Sequence, residues 1–314
     1  MEFLHEFKRQ VFDLSKVNFL AEENLDKLIK DSEDIYKKQM DDIANEIVDN
    51  GQYKVILMAG PSSSGKTTSS NLIRDRLANH GYKSIVVSLD DFFLNRDNTP
   101  LLPNGDYDYE NVLALDLDYL NKFIDDIFDK GEADMPQFDF LTGNRKSEYI
   151  KIKTDEKTIL ILEGIHALNP IAFKKHRDNM YKIYICLNTN FMIEDDLVIP
   201  AQKLRLMRRM IRDFYTRGST IENTLKMWPN VLAGEDLYIK PYKNTANYLI
   251  DSTHAYEPLL YAYALLPILK NAQKAPLTEE LIKMLEDCVK VNPIVIPDDS
   301  LLHEFVGNLH FKKD

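Results

Sequence analysis

The stretch GPSSSGKTT, Gly60 to Thr68, places two glycines, three serines, one lysine and two threonines in nine residues. Its first eight residues fit G-x-x-x-x-G-K-[ST] without a mismatch. These residue types suit one chemistry. Glycines let backbone N–H groups turn inward and approach phosphate oxygens closely. A helix opening near Gly65 points the positive end of its dipole at the same oxygens. Lys66 reaches the outer phosphates as a point charge, and the Thr67 hydroxyl is placed to ligate Mg²⁺. The expected ligand is ATP with Mg²⁺, held by Gly60, Ser62, Ser63, Ser64, Gly65, Lys66, Thr67 and Thr68.

Two carboxylate positions follow. SLDDFF puts Asp90 and Asp91 at the carboxyl end of an apolar run, the edge where open α/β sheets bind ligands. A carboxylate there can take the proton of an attacking hydroxyl or help hold a metal, and strand direction leaves one of the pair pointing into the site. Glu163 ends TILILEG, where a second carboxylate for the metal is required, and Gly164 beside it permits close approach.

Phosphate also needs countercharge. In AQKLRLMRRMIRDFYTRG, Arg205, Arg208, Arg209 and Arg212 recur at i, i+3, i+4 and i+7. Met207, Met210, Ile211 and Phe214 repeat that spacing two residues later. At about 100° per residue the two sets face opposite ways. The expectation is an apolar stripe packing down and four outward guanidinium groups, with Arg217 one turn on, forming a lid over a triphosphate.

These residues need a scaffold. Tyr53–Ala59, Lys83–Leu89, Thr158–Ile165, Tyr181–Leu187 and Asn247–Asp251 read as buried strands. Helices are expected near Glu22–Asn50, directly after the phosphate loop to about Asn79, and near Leu115–Phe128, Ala201–Thr216 and Tyr256–Leu269. Such alternation implies an α/β fold with a parallel sheet flanked by helices. Asn95–Tyr109, rich in Asn, Asp, Pro and Gly, is expected to be a long binding loop.

The chain has 314 residues, 44% of them hydrophobic, and a net charge of −11. That balance argues against non-specific binding to nucleic acid or anionic membranes. Cys186 and Cys288 have no metal-ligand spacing, so neither zinc nor a disulfide framework is expected. The first residues are too charged for a secretory signal, and no apolar run approaches the roughly 20 residues of a membrane span. A cytoplasmic protein is expected.

In order, GPSSSGKTT, SLDDFF, YDYEN, PQFDF, LEGIHALNP and RRMIRDFYTRG resemble the uridine kinase family of P-loop nucleoside kinases, over about Tyr53 to Tyr256. The likeness is closest to a bacterial branch that also carries stretches like Met227–Val231 and Leu301–Gly307. Many members of that branch have an N-terminal extension related to tRNA-synthetase accessory domains, of which Met1–Asn50 resembles the end. The resemblance implies a P-loop NTPase fold with an arginine-rich lid. It further implies that Asp90 is the catalytic carboxylate, that Asp108 binds ribose hydroxyls and that Arg209 contacts the sugar. By the same resemblance Arg212 and Arg217 lie on the phosphates, Thr67 and Glu163 hold the metal, and Phe140 packs on the nucleobase. Phe138 and Phe93 stand where the family often has tyrosine. Two positions depart: Gly143 replaces a polar residue that reads the base, and Met227 replaces a glutamine downstream of the lid. Polar contacts of this kind give a site its discrimination, so base identity stays open.

The expectation is a kinase with a helical extension at 1–50, a core at 51–273 and a C-terminal helix and tail at 274–314. Asp90, Lys66 and Arg212 are its catalytic candidates and a nucleoside-like alcohol its acceptor. The alternatives are a kinase for another small alcohol or sugar phosphate, and an ATP-binding regulatory module. Arg96 is the sole basic residue in the acidic stretch Asn95–Tyr109, which favours a neutral polyol. The tail, with Phe305, Val306 and Phe311, packs either on the core or on another subunit of a homo-oligomer.

Overall fold

The computed structural model describes residues 9–175 and 178–306. In chain order these form β1 (Gln10–Asp13), α1 (Leu14–Asn50), β2 (Val55–Ala59), α2 (Lys66–Asn79), β3 (Lys83–Ser88), α3 (Leu117–Lys130) and β4 (Glu132–Met135). Then come β5 (Phe138–Asp139), β6 (Asn144–Arg145), β7 (Ile150–Lys153), β8 (Thr158–Glu163), β9 (Met180–Cys186), β10 (Thr189–Ile193) and β11 (Asp196–Ile199). The rest is α4 (Ala201–Arg217), α5 (Ile221–Tyr238), β12 (Tyr248–Asp251), α6 (Glu257–Ala264), α7 (Leu266–Asn271), α8 (Pro276–Glu286) and α9 (His303–Val306).

Five strands form one parallel sheet in the order β12-β9-β2-β8-β3. The strands VILMA and TILILE are buried at every position, which is why they are apolar runs and not alternating ones. Alternate residues still serve opposite faces. Ile56 and Met58 share a core with α1, α2 and α4, whereas Val55, Leu57 and Ala59 share one with α3. Register fixes the functional edge. Met58 and Ser88 both lie opposite Glu163, so the carboxyl ends of β2, β3 and β8 finish together.

The five expected strands form, and the central sheet is the expected one. Helix α1 begins at Leu14, earlier than near Glu22, because Asp13 accepts from Lys16 N at 3.1 Å and caps it. At Asn24 the helix kinks (φ −159°), and the Asn24 side chain recaps it on Lys27 N at 3.1 Å. Periodicity had registered only the second segment. The expected Tyr256–Leu269 helix breaks at Leu265 into α6 and α7, with Pro267 opening α7. Helix α5 escaped the sequence reading because Pro229 and Gly234 interrupt it. So did the small sheet β1-β10-β11 and the hairpins β4-β7 and β5-β6.

The arginine stripe is a correction. Arg205 and Arg209 are nearly out of water and Arg208 fully so, while Met207, Met210 and Ile211 are also buried and Phe214 is partly exposed. Helix α4 therefore has no outward basic face. Arg205 pairs with Glu235 of α5 and lies over the Trp228 ring at 4.7 Å. Arg208 Nη2 donates to Glu257 Oε2 at 2.8 Å and to the Ser252 carbonyl at 2.7 Å. Phe305 covers Arg208 at 4.8 Å. The anions that neutralise Arg205 and Arg208 are carboxylates from remote elements, which a helical repeat does not reveal, whereas Asp213 of the same helix answers Arg209 and Arg212.

Leu301, Leu302, Phe305 and Val306 are buried in the cluster that holds α4. The tail thus packs on its own chain, and Phe311 lies outside the described residues. Among the described residues no helix is long and apolar enough to cross a membrane.

Glu257→Ala leaves the Arg208 charge buried and unpaired. Chemical denaturation is expected to register a loss of about 3–5 kcal/mol. The paired replacement Arg208→Met with Glu257→Leu should cost far less. A single-variant loss below ~1 kcal/mol, the scale of a surface pair, refutes this account of the ion pair.

Candidate active site

The phosphate loop runs from the end of β2 into α2. At Gly60 a Cβ would stand 2.1 Å from the Ile185 carbonyl of β9, so only glycine fits. Ser63 (φ 63°) and Gly65 (φ 90°) adopt left-handed backbone, which curls the loop. Lys66 Nζ donates to the Gly60 carbonyl at 3.0 Å and the Pro61 carbonyl at 3.3 Å. The hydroxyls of Ser63 and Ser64 are buried without a hydrogen-bond partner among the described residues. Buried polar atoms without partners are uncommon. A loop that folds its lysine onto its own carbonyls and leaves two hydroxyls unmatched fits a polyanion.

Two arginines of α4 grip this loop. Arg205 Nη1 donates to the Ser62 carbonyl and Arg209 Nη1 to the Ser62 hydroxyl, each at 3.1 Å. Asp213, the lone acid of the helix, gathers the rest. It lies 3.3 Å from Arg209 Nε, 2.9 Å from Arg212 Nη2 and 3.5 Å from Arg217 Nη1. Three like charges are thus held together by one buried carboxylate. Arg217 is the exposed member, and its field reaches Asp90.

Asp90 sits in a 3₁₀ turn (Leu89–Phe92) capped by Ser88 Oγ at 3.3 Å from Asp90 N. Burial raises its carboxyl above the ordinary range, while Lys66 and Arg217 pull it back. Asp91 turns away and accepts from Phe138 N at 3.1 Å. One of the pair therefore faces the phosphate lysine, as strand direction implies. Glu163 accepts from Thr67 Oγ1 at 3.3 Å. Burial pushes its carboxyl up to about 7 against the pull of Lys66, and Asp90 adds to the rise. Thr67, Glu163 and Asp90 supply hard oxygen donors of the kind Mg²⁺ takes. No three His, Cys, Asp or Glu side chains among the described residues gather into a cage of their own.

Two acids of the YDYEN stretch lie on the acceptor side. Asp108 is half-buried and accepts from Asn111 Nδ2 at 3.3 Å. Glu110, two residues on, faces Arg209, Lys66 and Arg205, and burial pushes it up to about 7 against their pull. Gly234 of α5 makes room, since a Cβ there would stand 2.3 Å from Glu110 Cβ. Nothing in the local sequence pattern singles out Glu110. The available signal was Gly234, a helix-interior glycine with no local purpose. Beyond it runs a chain of rings: Phe140 to Phe138 at 5.1 Å, Phe138 to Phe93 at 5.8 Å and Phe93 to Tyr109 at 6.5 Å. Phe140 is mostly exposed and Phe93 buried. Gly143 has φ 72°, and a Cβ there would stand 2.5 Å from Arg96 Nε. Met227 is exposed and lies 3.9 Å from Asn223 Nδ2.

The sequence model of the phosphoribulokinase/uridine kinase family matches residues 55–256. A uridine kinase from Anoxybacillus flavithermus is 27% identical over 197 residues, which are 62% of this chain and 84% of the relative. One from Staphylococcus epidermidis is 28% identical over 200 residues, 63% of this chain and 87% of the relative. Among solved structures, a D-glycerate 3-kinase from Cryptococcus neoformans superposes at a TM-score of 0.46 with 15% identity, covering 66% of this chain and 89% of that one.

Glu110 and Glu163 both stand near 7 when folded, against an ordinary 4.5. Between those values the folded chain holds more protons than the unfolded one. Stability of the ligand-free protein therefore falls as pH rises through that window, and the full penalty applies above it. Glu163→Gln is expected to stabilise the ligand-free chain near pH 8 by on the order of 1–3 kcal/mol and to do little near pH 5. Thermal melts at both pH values read this, and an equal gain at each refutes the burial penalty.

Proposed function

Because the chain belongs to the phosphoribulokinase/uridine kinase family of ATP-dependent kinases, we propose that it transfers the γ-phosphoryl group of ATP to the 5′-hydroxyl of a nucleoside. One observation carries the reading. Lys66 and Arg217 act on Asp90 from the phosphate side, while Phe93, Phe138 and Phe140 lead outward from the same sheet edge. An alcohol bonded to a flat, apolar group suits that juxtaposition: the hydroxyl meets a carboxylate and the flat group meets rings.

The residues divide the work. Lys66 leaves the loop carbonyls for phosphate oxygens. Ser63 and Ser64 give their unmatched hydroxyls to the same anion. Asp90 takes the proton of the acceptor hydroxyl as its oxygen bonds to phosphorus and the bond to the leaving ADP oxygen breaks. Arg212 and Arg217, steadied by Asp213, place positive charge where the transferring group spreads its negative charge. Glu110 and Arg209 hold the sugar hydroxyls, Glu110 accepting and Arg209 donating. Mg²⁺, when bound at Thr67 and Glu163 with Asp90 alongside, neutralises charge on the phosphates.

A second reading takes a phosphorylated or carboxylated alcohol as acceptor, with Arg96 as the one basic residue of Asn95–Tyr109 to meet its charge. Its guanidinium occupies the space a side chain at position 143 would need. An ADP-release assay over nucleosides, sugar phosphates and hydroxy acids separates the two. Turnover confined to anionic alcohols gives the site to the second reading. Asp90→Asn is expected to lower kcat by roughly 10²–10⁴-fold with ATP affinity changed only a few-fold. A variant keeping a tenth of wild-type kcat removes Asp90 from the proton step.

A further inference from the structure

The family match ends at Tyr256, yet the C-terminal tail reaches the phosphate loop. Thr68 Oγ1, in the first turn of α2, donates to Glu304 Oε2 at 2.9 Å. Leu301 covers the loop from behind: a Cβ on Gly65 would stand 2.3 Å from Leu301 Cδ1. Glu304 itself is half-buried, and its charge is felt by Glu163 and Arg217 across the site. The tail is firmly seated. Phe305 is buried over Arg208, and Ser300 Oγ donates to Glu33 Oε1 of α1 at 2.5 Å.

This arrangement sets two anions against one hydroxyl. The first turn of α2 is where phosphate oxygens are drawn by the N–H groups and the helix dipole. The Thr68 hydroxyl has one hydrogen, and Glu304 already takes it. A nucleotide phosphate arriving there must compete for that hydrogen while facing a fixed carboxylate in a partly desolvated site. Opposition of this kind is reciprocal: whatever the carboxylate costs the nucleotide, the nucleotide costs the docking of Glu304.

We propose that Glu304 is a positioning residue for the nucleotide: it orients Thr68 and opposes the phosphates, so that tail docking and nucleotide occupancy are negatively linked. The tail thereby keeps nucleotide affinity modest and helps ADP to leave. The proposal rests on the phosphate loop binding ATP and not on which alcohol accepts the phosphoryl group.

Calorimetric titration with a non-hydrolysable ATP analogue and Mg²⁺ tests it. Glu304→Gln keeps the acceptor for Thr68 but removes the charge. It is expected to tighten binding about three- to tenfold, the scale of one like charge removed from a partly screened site. KM for ATP should fall without a rise in kcat, and the gap from wild type should close at high salt. Glu304→Asp, which keeps the charge, should restore wild-type affinity. Unchanged or weaker binding by Glu304→Gln overturns the proposal. Hydrogen exchange on the wild-type chain needs no variant: amides of residues 301–306 should exchange faster with the analogue bound, and slower exchange overturns the linkage. Absence of wild-type binding in the same titration removes the kinase reading itself, whereas wild-type binding with an unaltered variant removes this proposal alone.

Discussion

Ionised side chains taken out of water must be compensated, and that requirement organises this molecule more than any other. Helix α4 carries Arg205, Arg208 and Arg209 into the interior, where Glu235, Glu257 and Asp213 answer them. The first two pairs tie α4 to α5 and α6, and the third lies within α4 itself. Arg205 and Arg209 then pass the constraint on to Ser62, so the phosphate loop is held by α4.

Where compensation is left incomplete, the chemistry gathers. Asp90, Glu110 and Glu163 all carry carboxyls raised by burial, and all three face Lys66. Raised carboxyls in a cleft mark sites where a ligand supplies the missing charge or hydrogen bond. Lys66 itself rests on loop carbonyls, a weak substitute for phosphate. The protein stores part of its stability deficit where a bound anion or cation would relieve it.

The sheet register converts this electrostatic tension into geometry. Three parallel strands that end level put the phosphate loop, Asp90 and Glu163 side by side without any contact among their side chains being required first. Elements outside the family match then complete the site. Helix α1 braces α2 through Tyr36 and Ser69 at 2.7 Å, and the tail backs Gly65 and Thr68. Such bracing holds the first turn of α2 still in the ligand-free chain.

Much of this was legible in the chain itself. The phosphate loop, the five sheet strands and the rule that one of Asp90 and Asp91 points inward follow from residues within a few positions of one another. Glycine freedom, helix dipoles and strand alternation are local physics. The direction of the arginine stripe, the burial of Glu110 beside Lys66 and the reach of Glu304 were not legible. Arg205 meets Glu235 across 30 residues, Arg208 meets Glu257 across 49, and Thr68 meets Glu304 across 236. A periodic repeat shows that four arginines share a face; only the tertiary structure decides whether water, phosphate or carboxylate covers it. Neutralising a charge is a short-range act between atoms, and chain folding alone determines which distant atoms come within range.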